Sequence, residues 1–250
     1  MTGLLGALQF LTRVPIRLRA ATPHARVVPW FPIVGVLIGA AVSAVAVGSG
    51  ELVPPAVAAA CAVVVGLLIT GAFHEDGLAD VADAFGGGWT VDRRLEILKD
   101  SRHGTYGVAA LAGSIVIRVV AVASIVSPAA VFASLVAAHT LGRSAAVVVM
   151  RTAPPATESG LGVSAARDMR PVPTAIGSAA GLVMVAVLGG WWVLPFVAAA
   201  AAGSVATVLL AVRKIGGVAG DVLGAVEQVV ECLVLIVASG LAARHHLWWA

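Results

Sequence analysis

The sequence predicts an all-α fold, a polytopic bundle of transmembrane helices with about seven spans, six at the fewest and eight at the most. Three observations carry this. Of 250 residues, 60% are hydrophobic and 12% charged, whereas soluble domains carry about 25% charged residues. Mean hydropathy is +1.00, so a soluble globule could not hide this much apolar surface, and a disordered chain would need the opposite composition. The apolar residues also fall in seven continuous runs near the length a helix needs to cross a bilayer.

The elements follow in order. Leu4, Leu5, Leu8 and Leu11 repeat at helical spacing within residues 4–14, and Arg13, Arg17, Arg19 and Arg26 lie after them. That pattern fits a helix in the membrane interface or one packed on the bundle. No basic residue precedes the run, which speaks against a secretory signal. The spans run at about 33–50, 54–73, 107–126, 129–149, 174–190, 191–211 and 225–243. Their Ala, Gly and Ser let helices approach closely in lipid. None alternates with period 2, which excludes a β-barrel. No internal repeat or second domain is visible, so residues 1–250 read as one integral membrane domain.

The connections alternate in character. Glu51 to Val53, Ser127-Pro128 and Gly189-Gly190 are short and lack Lys and Arg. Thirteen of the sixteen basic residues fall in 1–32, 74–106, 151–173 and 212–224. An even number of spans separates these regions, so all face one side, and the positive-inside rule makes it the cytoplasm. The N-terminus is then inside, and a complete last span puts Arg244 and both following histidines outside. A net charge of +3 without a basic run excludes nucleic acid as a partner. Cys61 and Cys232 sit in apolar runs and read as buried free thiols.

Chemistry concentrates in the cytoplasmic loop 74–106, which holds seven of the thirteen acids. Asp76, Asp80 and Asp83 are spaced i, i+4, i+7, within about 60° of one helix face. Stacked carboxylates repel each other, and a chain this poor in charge gains from such a stack if a cation neutralises it. Carboxylate oxygens suit Mg²⁺, which binds through few protein ligands plus substrate phosphate. The bland alternative is a solvated acidic face. His74 and His103 flank the loop without zinc spacing and read as packing or hydrogen-bonding residues. Gly86, Gly87 and Gly88 end the acidic helix and free the backbone for a ligand. Lys99 and Arg102 bracket Asp100, as cations would to hold a phosphate against a metal, or as a plain surface pair would.

A second cluster runs from Gly216 to Glu231. Asp221 opens the last span, and Glu227 and Glu231 share a face inside it. Ionisable groups in hydrocarbon default to function, although pairing with Arg118 or Arg143 would be purely structural. A third cluster, Arg151, Glu158, Arg167, Asp168 and Arg170, offers cations to a polyanionic substrate or to lipid headgroups. Together these features suit metal-assisted phosphoryl transfer at a membrane.

Six segments carry a resemblance. They are FLTRVP from Phe10, FPIVG from Phe31, DGLADVADAFGGG from Asp76, DSRHGTYG from Asp100, RTAPPATESGLG from Arg151 and GGVAGDVLGAVEQVVE from Gly216. In this order, over essentially the whole chain, they resemble the cobalamin synthase (adenosylcobinamide-GDP ribazoletransferase) family. The chain departs from that pattern at Glu75 and His103, where hydrophobic residues are more usual, and at Ala219 in place of Thr.

The resemblance implies a Mg²⁺-dependent enzyme of the bacterial cytoplasmic (inner) membrane. It implies transfer of the adenosylcobinamide-phosphate group from adenosylcobinamide-GDP to α-ribazole or its 5′-phosphate, with release of GMP. Carried over residue by residue, Asp76, Asp80 and Asp83 would hold metal. Lys99, Arg102, Arg151 and the glycines 86 to 88 would meet phosphate or substrate. Asp100 or Asp221 would act as base or as a further ligand. Trp30, Trp89 and Tyr106 are candidates to stack on a base. Other corrinoid-synthesis enzymes are expected partners, because the late intermediates are large.

Two rivals stand beside this reading. A CDP-alcohol type phosphotransferase would want Arg where Asp80 follows Ala79. A secondary transporter would use Arg118, Arg143, Glu227 and Glu231 as an ion path, but its acids should lie at the midplane.

Overall fold

The computed structural model describes residues 2–18, 20–100 and 102–249, so Arg19 lies outside the described residues. Among them it is helical, with no strand beyond one isolated bridge between Pro155 and Val218. All seven apolar runs coincide with helices, and the short apolar N-terminal stretch and the polar segments supply the others.

Helix α1 (Thr2–Leu11) packs its buried face, Gly3, Gly6, Ala7 and Leu11, against the chain that follows. Close approach requires glycine here, because a Cβ on Gly3 would run into the Arg26 carbonyl. So α1 is a packed helix. A short α2 (His24–Val27) and a 3₁₀ turn lead into α3 (Phe31–Gly50). Helix α4 (Pro55–Thr70) returns and ends at Gly71, whose φ of 67° is the left-handed C-cap glycine favours.

At that point the chain turns through 92° into α5 (Phe73–Gly87). Gly71 and Ala72 both carry positive φ. Segment 74–106 is therefore not an open loop. Its acids sit on α5, and α6 (Val91–Ile97) follows with Thr90 as N-cap, its side chain accepting from the Arg93 amide. The burial of Ala79, Val81, Ala84 and Phe85 explains the order: α5 is amphipathic and covers apolar surface. With four acids and a near-perpendicular course, α5 reads as lying across the end of the bundle, outside the spans.

Next come α7 (Thr105–Ala123), α8 (Pro128–Thr152), the short α9 (Leu161–Asp168), α10 (Pro171–Gly189), α11 (Val193–Ile215) and α12 (Gly220–Ala242). Helices α8 and α12 form the centre, with most of their length buried. Helix α3 crosses α8 closely, since a Cβ on Gly39 would stand 2.6 Å from the Val136 Cα. By length and composition five segments can cross a membrane: His24–Gly50, α7, α8, Pro171–Ile215 and α12; the bent α4–α5 pair would add a sixth only if it counted as one broken span. Seven were expected. The difference has two sources. Helix α4 alone, at 16 residues, is about 24 Å long, short of a ~30 Å core. Pro171–Ile215 also counts once, although its 45 residues would reach about 68 Å as one rod. Gly190, at φ 57°, breaks it into two arms.

The last helix runs 23 residues without interruption. Beyond it, the indoles of Trp248 and Trp249 donate to the Val187 and Leu188 carbonyls at 3.0 and 2.6 Å. The C-terminus is thus fastened at the α10–α11 turn. Cys232 is buried as expected, but Cys61 is exposed on α4.

Candidate functional site

The acidic site forms where α5 crosses the start of α12. A Cβ on Gly77 would sit 2.7 Å from the Asp221 carbonyl, and one on Gly224 would meet the His74 carbonyl at 3.2 Å. Two glycines, one on each helix, thereby let the backbones touch. The crossing puts Asp76 and Asp221 on the wall of one cavity.

Asp76, Asp80 and His103 offer three ligand atoms, all within 4.8 Å of one another. His103 Nε2 stands 3.4 Å from an Asp76 oxygen, and its Nδ1 stands 3.6 Å from an Asp80 oxygen. Asp76 is open to solvent, while Asp80 keeps 13% of its side chain exposed. Burial pushes the Asp80 carboxyl up to about 6, and the negative charges of Asp76 and Asp221 push the same way. The carboxylates fit a hard divalent cation, because gathered like charges are what such an ion relieves. The imidazole is the softer donor and suits a hydrogen-bonding place at the edge.

Asp83 does not join this group. Its two oxygens accept from the backbone amides of Gly104 and Gly107, at 2.6 and 2.9 Å. The carboxylate thus caps the start of α7, where unpaired amides and the helix dipole favour a negative charge. Both glycines are needed, since a Cβ on either would collide with that carboxylate.

The other expected residues are scattered. Asp100 and Arg102 pair with each other at the surface at 2.7 Å, and the guanidinium's hydrogen bonds hold the Asp100 carboxyl down at about 2. Lys99 is exposed. Gly86 and Gly87 belong to α5, and Gly88 is its C-cap. Gly86 is small because the Tyr106 ring lies over it, within 2.7 Å of where a Cβ would stand. Trp89 is 90% exposed. Arg151 and Arg167 line a second cavity of about 310 Å³, which shares Gly162, Gly220 and Leu223 with the first.

Beneath the acidic site lies a buried ion cluster. Arg118 donates to Glu75 at 2.9 Å and stands 3.4 Å from Glu231. Arg143 donates to Glu231 at 2.8 Å and also binds Glu227, while His139 pairs with Glu231. Each of these side chains is at most 8% exposed. His139, Glu227 and Glu231 have metal-like spacing, but the Arg143 guanidinium already lies among them, 3.2 Å from the His139 ring nitrogen. The spans' charges therefore pair structurally, and Glu75, a departure from the resembled pattern, supplies the partner of Arg118. His103 was undervalued in the sequence; its closeness to Asp76 and Asp80 comes from the return of α7 to α5, which no local spacing encodes.

The fold and these clusters define a helical membrane protein with an acidic, cavity-fed site at one end of its bundle. A family model described as cobalamin-5-phosphate synthase matches residues 3–239. The chain is 42% identical, over 239 residues, to an adenosylcobinamide-GDP ribazoletransferase of Bradyrhizobium diazoefficiens, covering 93% of this chain and 91% of that one. Proteins of the same name from Azorhizobium caulinodans and Chlorobaculum tepidum are 38% and 33% identical, covering 92% and 96% of this chain and 92% and 95% of theirs. No solved structure matches. The chain belongs to the cobalamin-5-phosphate synthase family, and it is a transferase of cobalamin synthesis.

Proposed function

We propose that the protein transfers the adenosylcobinamide-phosphate group from adenosylcobinamide-GDP to α-ribazole or its 5′-phosphate, releasing GMP, with Mg²⁺ as cofactor. It works in the cytoplasmic membrane, with its N-terminus and site on the cytoplasmic side, where the basic connections lie. The observation that carries the reading is that Asp76 and Asp221 line one cavity while Asp80, beside Asp76, feels both of them as like charges.

Asp76 and Asp80 would hold the ion, with Asp221 as the third carboxylate, and the bound ion supplies positive charge against the pyrophosphate. A ribose hydroxyl oxygen that is free in both acceptors, and so not the 5′ one, attacks the phosphorus on the cobinamide side. A P–O bond forms, the bond to the bridging oxygen breaks, and GMP leaves with that oxygen. The hydroxyl proton passes to a carboxylate, for which Asp221 on the cavity wall is better placed than Asp100, already paired at the surface. Arg151 and Arg167 line the adjoining cavity and suit the anionic nucleotide half of the donor.

The test is GMP release by detergent-purified protein given both substrates, with Mg²⁺ and then with EDTA. The expected result is release that Mg²⁺ supports and EDTA abolishes, with the joined product appearing. Folded protein that binds the corrinoid without turnover would overturn the reading.

A further inference from the structure

The cavity behind the acidic mouth encloses about 320 Å³, within the range of small-molecule sites. Its two sides differ in chemistry. One is an aromatic wall. Phe10 lies against Phe31 with ring centres 5.5 Å apart and planes 14° from parallel, and Phe73 meets Phe10 edge-on at 5.5 Å. The other carries Asp76 and Asp221 at the crossing of α5 and α12, and His24, His74 and Arg143 complete the polar lining.

This division selects among occupants. A lipid acyl chain would leave the two carboxylates against hydrocarbon, at a cost. A corrin macrocycle exceeds the volume. A guanine base would meet phenyl rings, which offer nothing to its several donors and acceptors, while Arg143 is already held by Glu227 and Glu231 and His24 stands against Asp168. A nucleoside with a flat, apolar aromatic base satisfies both sides, with the base on the rings and the sugar hydroxyl among the carboxylates. Resting on the reaction proposed above, we infer that this cavity is the acceptor subsite, with the base of α-ribazole against Phe10, Phe31 and Phe73 and its attacking ribose hydroxyl toward Asp221. The donor's nucleotide half then occupies the neighbouring arginine-lined cavity, and the phosphorus sits where the two meet, beside Gly220.

The experiment is a KM split. Ala146 lines the cavity from α8 and is 8% exposed. Ala146→Leu fills the space and should raise the KM for α-ribazole about tenfold or more, as methylene-sized misfits do, while the KM for adenosylcobinamide-GDP stays within about twofold. Phe73→Leu, at a ring already 46% exposed, serves as a second variant should Ala146→Leu not fold, and should move the same KM in the same direction. An unchanged KM for α-ribazole, or a rise in the donor's KM instead, overturns the assignment. Equilibrium binding of α-ribazole separates the two readings. If the wild-type protein releases no GMP, the reaction fails as proposed, yet binding that Ala146→Leu weakens still supports the subsite, and binding that it leaves unchanged removes it.

Discussion

The acidic mouth and the ion cluster beneath it hold similar residues under opposite accounts. In the cluster, Glu75, Glu227 and Glu231 face Arg118 and Arg143 at hydrogen-bonding distance, so the charges compensate one another inside the protein. At the mouth, Asp76, Asp80 and Asp221 act on one another as like charges, with the His103 ring beside two of them. Paired charge deep in a helix bundle is architecture, while carboxylates that meet one another as like charges are free to take a ligand. The difference teaches that carboxylate count does not distinguish function from scaffold; the neighbours of each carboxylate do.

The largest effect should come from breaking the paired side. Arg143→Leu leaves Glu227 and Glu231 buried without their main cation, and removing one partner of a buried ion pair costs about 3–5 kcal/mol. Thermal unfolding in detergent should show this as a large loss of stability. A variant as stable as wild type would mean that the cluster is not structural.

Two aspartates on α5 sharpen the contrast. Asp80→Asn should cut turnover by about ten- to a hundredfold, the usual cost of damaging a metal shell, while stability holds or rises because a like charge is gone. Asp83→Ala should instead cost about 1–3 kcal/mol, because two α7 amides lose their acceptor. Parallel melting curves and GMP-release rates check both, and the same response from both variants would erase the distinction.

The smallest effect concerns pH. A carboxyl raised to about 6 holds its proton through pH 5, so a cation must displace that proton to bind. Mn²⁺ binding, followed by its paramagnetic signal, should weaken by up to about tenfold per unit as pH falls below 6 and be flat above 7. The sign for folding is opposite. A raised carboxyl pKa makes the ion-free protein less stable as pH climbs from about 4 to about 6, and added cation should remove that slope.

How much of this was legible in the sequence depended on range. The apolar runs announced their helices because lipid forces backbone pairing within each segment. The i, i+4, i+7 acids correctly announced a helix with one acidic face. What periodicity could not show was the fate of each oxygen. Asp83 looks identical to Asp80 along the chain, but it points at amides that arrive from residues 104 and 107. The 92° turn was also illegible, because Gly71-Ala72 reads like any helix end until the left-handed pair redirects the chain. The apolar wall of Phe10, Phe31 and Phe73 joins three separate helices, which only tertiary packing could assemble. Conversely, pairing of Arg118 and Arg143 with Glu227 and Glu231 was foreseeable, since ionised groups in hydrocarbon must find one another.

The crossing of α5 over α12 has a mechanical side. One jaw of the mouth rides on the end of a 23-residue membrane-embedded helix, and the other on a helix lying across the bundle. Helix α12 is buried for most of its length, so its packing on neighbouring helices sets its tilt. The spacing of Asp76 and Asp221 is thus a property of the bundle's core, and a substitution deep among the helices would be felt at the mouth.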